Sequence, residues 1–500
     1  MYVTRLVDSQ PTFGSVGQWF LREPRRPAAV RESSRAHWYV VGTVCIGAFM
    51  GQLDASIVTL ALPTMGRHLH ASVGAVEWVA LAYLLVLVAT VATVGRIADA
   101  VGRKLLYVYG FGVFTAGSVL CGLAPTLPVL IAARVLQAVG AAMLQANSVA
   151  LITEAMPREL LGRGIGVQGA AQALGLALGP AVGGLLLSVA GWRLIFLVNL
   201  PAGVIGIALG WFLLPRSRSR RALVTADRPG ALLLAVAAAG PLVYLSLASR
   251  AGYASVVLLA CLGAGVLAAV AFVRREGRLV APLIDLSIVR RPALAVGLSS
   301  GLVSYLALFG ILFAVPYYLS AAHDSDAWIG LQLAVLPVAI GVTAPIAGRL
   351  IDRVGERTLT AGGLLLAAAG ILEIAAQHGT AGLLAGLALA GVGLGAFTPA
   401  NNAAIMSASP PGHTGVVSGV LNMTRGLGTA LGVALTGALF TAVVGVNGAN
   451  VARASVAAAG HGLTVALGVL GVLALVTGSA LLLRAPAQGE GAAAPATAAR

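Results

Sequence analysis

The chain has 500 residues, 58% of them hydrophobic and 10% charged, whereas soluble domains carry roughly a quarter charged residues. That balance excludes a water-soluble protein, and at ~20 residues per helical crossing it leaves apolar material for about fourteen membrane spans. The net charge of +15 would suit nucleic acid, yet no arginine-rich block adjoins a globular or aromatic binding module, so no nucleic-acid partner is expected and the excess is read as orientation in a bilayer.

Residues 1–37 carry Arg, Pro and Ser without an apolar stretch of their own and are expected to form a cytoplasmic tail. Apolar segments then follow at 38–62, 75–95, 105–124, 128–150, 164–188, 193–214, 230–249, 253–273, 293–319, 327–348, 359–377, 381–406, 415–443 and 463–483. Fourteen crossings put both termini on one side. Of the 32 basic residues, 26 fall in the tails and the even-numbered connections and 4 in the odd-numbered ones, which assigns both termini to the cytoplasm of a plasma (inner) membrane protein. The remaining two, Arg134 and Arg425, lie inside spans. Cys45, Cys121 and Cys261 stand in apolar runs without CxxC or Cys/His spacing, so neither a disulfide framework nor a metal site is indicated.

The chain repeats itself. Gly95, Arg96, Asp99 and Gly102 in GRIADAVGRK match Gly348, Arg349, Asp352 and Gly355 in GRLIDRVGER at an offset of 253, and the same offset pairs Gly175 and Gly179 with Gly428 and Gly432, and Gly140 with Gly393. Several matches at one offset indicate a duplicated unit. The expected organisation is an all-α integral membrane protein: a six-helix half at 38–214, a linker with two extra spans at 215–291, a second six-helix half at 292–484, and a cytoplasmic tail at 485–500. Two parallel halves with a site between them near the midplane are a transporter arrangement.

Five motifs resemble the major facilitator superfamily, in particular its fourteen-span drug:proton antiporter branch. LDASIVTLALP at 53–63 is similar to the first-span signature of that branch, and GWRLIFLVNLPAG at 191–203 to another of its segments. The loop from Gly95 to Lys104 resembles the superfamily's motif A. IAARVLQAVGAA at 131–142, around Arg134, resembles motif B, with Ala138 where that motif has Gly. Gly175, Gly179, Pro180, Gly183 and Gly184 resemble motif C, which marks antiporters. The resemblance implies a major facilitator fold, export of amphipathic small molecules by alternating access, and no catalytic residues. It also implies that motif A (Gly95, Asp99, Gly102, Arg103, Lys104) acts as a gate latch, with Glu154 placed as its acidic partner.

Asp54 is the one carboxylate deep within a span of the first half, where an unpaired charge costs several kcal/mol. At 1.5 Å per residue it lies ~12 Å from the outer end of its apolar segment and Arg134 lies ~9 Å from the same surface. The two are expected to meet, either as a proton-coupling pair or as a static ion pair that fixes helix packing. At the offset of 253 their counterparts are Ala307 and Leu387, so coupling is expected in the first half alone. Gln137, Gln168 and Gln172, with Tyr305, Asn401, Asn422 and Arg425, are candidates for the substrate cavity, although each also suits an interhelical hydrogen bond. Arg425 suits either an anionic or phenolic substrate group or local carbonyls beside Asn422. Lys104 with Asp99 and Arg103 is placed at a helix end where charges are cheap, and Glu77 and Glu373 near span ends where a carboxylate reaches headgroups or water.

No phosphate loop of the GxxxxGK[ST] kind is present, so ATP is not expected as the energy source and a proton gradient is. No cofactor or metal is expected. The partners foreseen are the amphipathic substrate, protons and the bilayer, and the chain is expected to act as a monomer. A metabolite symporter or facilitator of the same fold is the alternative function.

Overall fold

A computed structural model of the chain describes residues 23, 26–157, 160–217, 227–279, 286–322, 324–376, 379–410, 414–444 and 455–483. The expected tails at 1–37 and 485–500 therefore lie largely outside the described residues. Among the described residues the regular structure is helical and includes fourteen helices long and apolar enough to cross a membrane. Long apolar runs adopt helices there because the helix satisfies every backbone N–H and C=O within one segment.

In chain order the fourteen are α1 (Ala36–His68), α2 (Trp78–Val101), α3 (Arg103–Leu123), α4 (Leu127–Ala155), α5 (Leu161–Ala190), α6 (Asn199–Leu213), α7 (Arg228–Ala251), α8 (Val256–Glu276), α9 (Pro292–Ala321), α10 (Asp326–Val354), α11 (Glu356–Ala376), α12 (Gly379–Ser407), α13 (Thr414–Val444) and α14 (Val456–Leu483). Each coincides with one apolar segment of the sequence. Several overrun it, and α1 continues past residue 62 through Thr64 and Arg67 to His68. One-turn helices at Val73–Val76 and Leu194–Leu197 lead into α2 and α6, and it is with the latter that α6 reaches the 20 residues of a crossing, Leu194–Leu213.

The duplication is visible in the packing. Gly117 of α3 lies against the backbone of Gln137 on α4, and Gly370 of α11 against the backbone of Ala390 on α12. Gly140 meets Phe114 as Gly393 meets Ala367, and Gly175 meets the carbonyl of Phe49 as Gly428 meets that of Leu302. Each pair is related by the offset of 253. Absence of a side chain lets these backbones touch, the usual basis of close helix approach in a bilayer. The turn between α2 and α3 is a single residue, Gly102, at φ 123°, and its repeat mate Gly355 between α10 and α11 has φ 87°. Both are conformations that side-chain-bearing residues avoid.

The halves meet along α1 and α9, which are buried over most of their length, and along two crossings related by the repeat, α5 on α10 and α2 on α13. The inserted α7 and α8 form a hairpin, with α7 packed on α2 and α13. α8 is the outer member: Val256, Val257 and Leu267 are 70% or more exposed, the face a bilayer would cover.

Candidate functional site

Asp54 on α1 and Arg134 on α4 form an ion pair, Nη1 to Oδ2 2.6 Å, with both residues 1% exposed. The other carboxylate oxygen accepts from Gln137 Nε2 at 2.8 Å and from Asn199 Nδ2 at 3.0 Å. Arg134 and Gln137 are three residues apart on one helix face, which is why both reach the same acid. Arg134 also donates to Val79 O at 2.9 Å and Gln137 Oε1 at 2.8 Å. Ser118 Oγ accepts from Gln137 and Asn199 and donates to Phe196 O at 2.8 Å. Five helices, α1 to α4 and α6, thus converge on one acid, with every charge paired, as an apolar surround requires.

The guanidinium also lies over the ring of Tyr83, 4.1 Å from its centroid. Tyr83 is the wall between this network and a cavity between the halves. Its lining includes Gln52, Gln145 and Gln172 from the first half and Tyr305, Phe309 and Arg425 from the second. A mostly apolar chamber with a few amides and one cation suits an amphipathic organic molecule.

The amides proposed from sequence divide by location. Gln172, Tyr305 and Arg425 line the cavity, whereas Gln137 belongs to the Asp54 network. Asn401 is buried between helices, donating to Gly297 O at 3.0 Å and accepting from Ser300 Oγ at 3.3 Å. Gln168 is buried on α5, away from the lining. Arg425 donates to Asn402 Oδ1 at 2.9 Å and Asn422 Oδ1 at 3.3 Å, and stands 5.6 Å from the Tyr305 ring centroid.

Two polar clusters stand at the ends of the halves. At the end away from the chain termini, Thr64 donates to Asp326 at 3.1 Å, and Arg67 donates to Ser320 and pairs with Asp326 at 3.5 Å. These contacts tie α1 to α9 and α10 across the interface. The sequence signal for them was slight, since Arg67 lies beyond the apolar run and its partner is 259 residues away. Ser320 is the repeat mate of Arg67, so the contact sits on the axis relating the halves.

At the terminal end, Arg103 pairs with Glu154 at 2.6 Å, bringing together two residues of the expected latch. The side chain of Asp99 is outside the described residues. Lys104 differs from expectation: it is fully buried and donates to Leu214 O at 2.9 Å. The α3 N-terminus is covered by the segment after α6 and by Glu23, which accepts from Ser217 N at 2.7 Å and Ser217 Oγ at 2.8 Å.

On α5, Gly175, Gly179 and Gly183 face α1, against Phe49, Ser56 and Leu60. Gly184 faces the other way, and a Cβ on it would fall 2.8 Å from the Cα of Gly330 on α10. The Pro180 carbonyl meets the same glycine. One motif therefore seats α5 on α1 within its own half and on α10 of the other.

A duplicated six-helix bundle with a chamber between its halves has the architecture of a membrane transporter. The family model described as Major Facilitator Superfamily matches residues 44–309 and 297–499, and the chain belongs to that superfamily. It is 33% identical over 410 residues to the riboflavin transporter RibZ of Clostridioides difficile, covering 81% of this chain and 88% of the relative. It is 33% identical over 403 residues to the multidrug resistance protein Stp of Mycobacterium tuberculosis (79% and 74%). Over 476 residues it is 33% identical to the puromycin resistance protein pur8 of Streptomyces alboniger (90% and 92%). Among solved structures, a bacterial homolog of the human lysosomal transporter Spinster, inward-facing and occupied, aligns with TM-score 0.65 at 16% identity over 90% of this chain and 97% of that one. The peptide transporter POT aligns with TM-score 0.64 at 16% identity over 94% and 98%.

Proposed function

We propose that this transporter is a proton-coupled antiporter that exports amphipathic small molecules, such as drugs, antibiotics or a secondary metabolite, across the plasma membrane. Both termini are cytoplasmic, by the distribution of basic residues, so the Arg67–Asp326 closure is extracellular and the chamber is the one that loads from inside. The observation that carries the reading is the buried Asp54–Arg134 network separated from the chamber by one ring, Tyr83. The resistance proteins among the relatives support the choice of substrate class.

Asp54 carries the coupled proton. Three donors meet its two oxygens here, the pattern of a carboxylate. Oδ1 already accepts two donors, so a proton arriving there must displace an amide, and a proton on Oδ2 removes the negative charge that holds Arg134; either way a group is freed to shift against Tyr83. Substrate packed on the opposite face of that ring opposes the shift, so proton and substrate compete through a shared wall. Competition of this kind is the requirement for exchange, since each ligand must favour a different state. Motif C supplies the close α5 contacts on which the halves turn, and Arg103–Glu154 holds the cytoplasmic ends of α3 and α4 together as part of the motif A gate. No cofactor takes part, and a single chain suffices because the chamber lies within it.

The riboflavin transporter among the relatives favours a second reading, a facilitator or symporter moving a metabolite. Everted vesicles separate the two. Antiport predicts proton release from acidified vesicles when substrate is added, and Asp54→Asn is expected to lower that release at least tenfold while the protein still folds. Unchanged exchange in Asp54→Asn overturns the coupling role.

A further inference from the structure

Glu77 precedes α2 near the end of the halves away from the termini, a position from which a carboxylate would be expected to reach water. It is instead 1% exposed, and neither carboxylate oxygen has a hydrogen-bond partner. The side chain lies flat on Gly437 of α13, in the other half, where a Cβ would collide with it. Ser246 of the inserted α7 closes the third side but gives its hydroxyl to Gly74 O at 3.0 Å, one turn before Glu77. The hydroxyl of Tyr317 on α9, within electrostatic reach of Glu77, is likewise buried without a partner.

The repeat shows that packing does not call for an acid here. Gly437 is the mate of Gly184, and Glu77 is the mate of Gly330, each by the offset of 253. At the related crossing, α5 on α10, two glycines meet backbone to backbone. At α2 on α13 one of the two glycines is replaced by a carboxyl group whose polar neighbour, Ser246, gives its hydroxyl to Gly74 O. A bare carboxylate so placed costs several kcal/mol, and a polar group that costs stability without serving the packing marks function in a membrane protein.

We propose that Glu77 is a second proton-binding site, one that governs the extracellular gate: it holds a proton while the α2–α13 seam is closed and releases it to external water when the seam parts. The proposal rests on the reading of the chain as an alternating-access transporter with that end outside. Opening hydrates the carboxyl group, its O–H bond breaks heterolytically, and the proton passes to water. Closing requires the proton back, so external acid favours the closed gate. Other titratable groups near the seam are Tyr317 on α9 and Arg67 and His68 at the end of α1. On α7 Tyr244 is two residues from Ser246, and the charge on α13 is Arg425, twelve residues or ~18 Å away from Gly437.

The test uses full-length protein in lipid nanodiscs with Cys45, Cys121 and Cys261 replaced by Ala and spin labels on cysteines introduced at the exposed positions His70 and Ala322. Distances between the labels report opening of that end between about pH 5 and 9. One linked proton changes the open-to-closed ratio by up to about tenfold per pH unit. Glu77→Gln, and Glu77→Gly, which rebuilds the two-glycine crossing, are both expected to flatten that dependence, while Asp54→Asn retains it. A wild-type slope in both Glu77 variants, or a slope abolished by Asp54→Asn alone, overturns the proposal. A flattened slope in a protein whose wild type shows no substrate-driven proton release would instead sink the antiport reading and leave the gate site standing.

Discussion

The two halves share a scaffold and differ in chemistry. The glycine contacts Gly117/Gln137, Gly140/Phe114 and Gly175/Phe49 recur as Gly370/Ala390, Gly393/Ala367 and Gly428/Leu302. The polar network does not recur: Asp54, Ser118, Arg134 and Gln137 have Ala307, Ile371, Leu387 and Ala390 as mates, and all four of those mates are buried in the second half. Helix approach depends on backbone geometry, which a duplication preserves as long as the small residues stay. A buried charge network survives only where every member is kept, because a half-complete one costs more than an apolar core. The second half thus shows what the scaffold needs, and what the first half carries beyond it is function.

The largest test of that contrast is Arg134→Ala. It strands Asp54 without its counter-charge and is expected to destabilise the protein by about 3–5 kcal/mol, read as a lowered thermal midpoint in detergent. Asp54→Asn with Arg134→Met should recover much of that loss, since the site then approaches the apolar second half. A double variant no more stable than Arg134→Ala would show that the network is structural in a way its counterpart is not. Next in size are the scaffold glycines. Gly140→Ala and Gly393→Ala each press a methyl group on the neighbouring helix backbone and are expected to cost about 1–3 kcal/mol, with similar midpoints for the two. Unequal costs would break the claim that the scaffold is shared.

The smallest effect concerns the inserted hairpin, which belongs to neither half. Asp227 caps α7 by accepting from Gly230 N at 3.0 Å and pairs with Arg275 of α8 at 2.8 Å. The Arg275 hydrogen bond holds its carboxyl below the usual carboxylate value. A depressed folded-state value means the stabilisation is present above the unfolded pKa of about 4 and is lost as pH falls below it. The protection factor against hydrogen exchange at the start of α7, which removes the intrinsic pH dependence of exchange, is expected to fall on acidification below about pH 4 in the wild type, and to be pH-insensitive in Asp227→Asn.

Much of this was legible in the sequence because the bilayer imposes a simple rule. Each of the fourteen apolar runs became one helix, and depth counted along α1 and α4 brought Asp54 to Arg134. Arg103 and Glu154 met as the motif suggested. Side chains near span ends were read less well. Lys104 and Glu77 were placed where water or headgroups are within reach, but the segment after α6 covers the first, and α13 and α7 cover the second. Asn401 turned to a carbonyl of α9 in place of the chamber. Depth along a helix follows from counting residues, whereas the direction a side chain faces depends on which helix lies beside it.

By itself the sequence determined the number of spans, the repeat of 253 residues, and that the Asp54–Arg134 pair has no counterpart in the second half, because apolar length, spacing and residue identity are one-dimensional properties that hydrophobic burial translates directly into helices. Only the tertiary structure decided that Gln137 and Asn199 complete the Asp54 site, that Tyr83 divides it from the chamber, and that Arg67 reaches Asp326 across the axis. It alone set Glu77 against Gly437, at the crossing whose counterpart joins Gly184 to Gly330. Those contacts join residues up to 360 positions apart, and what brings them together is the packing of two copies of one fold around a shared axis, which no local pattern in either copy encodes.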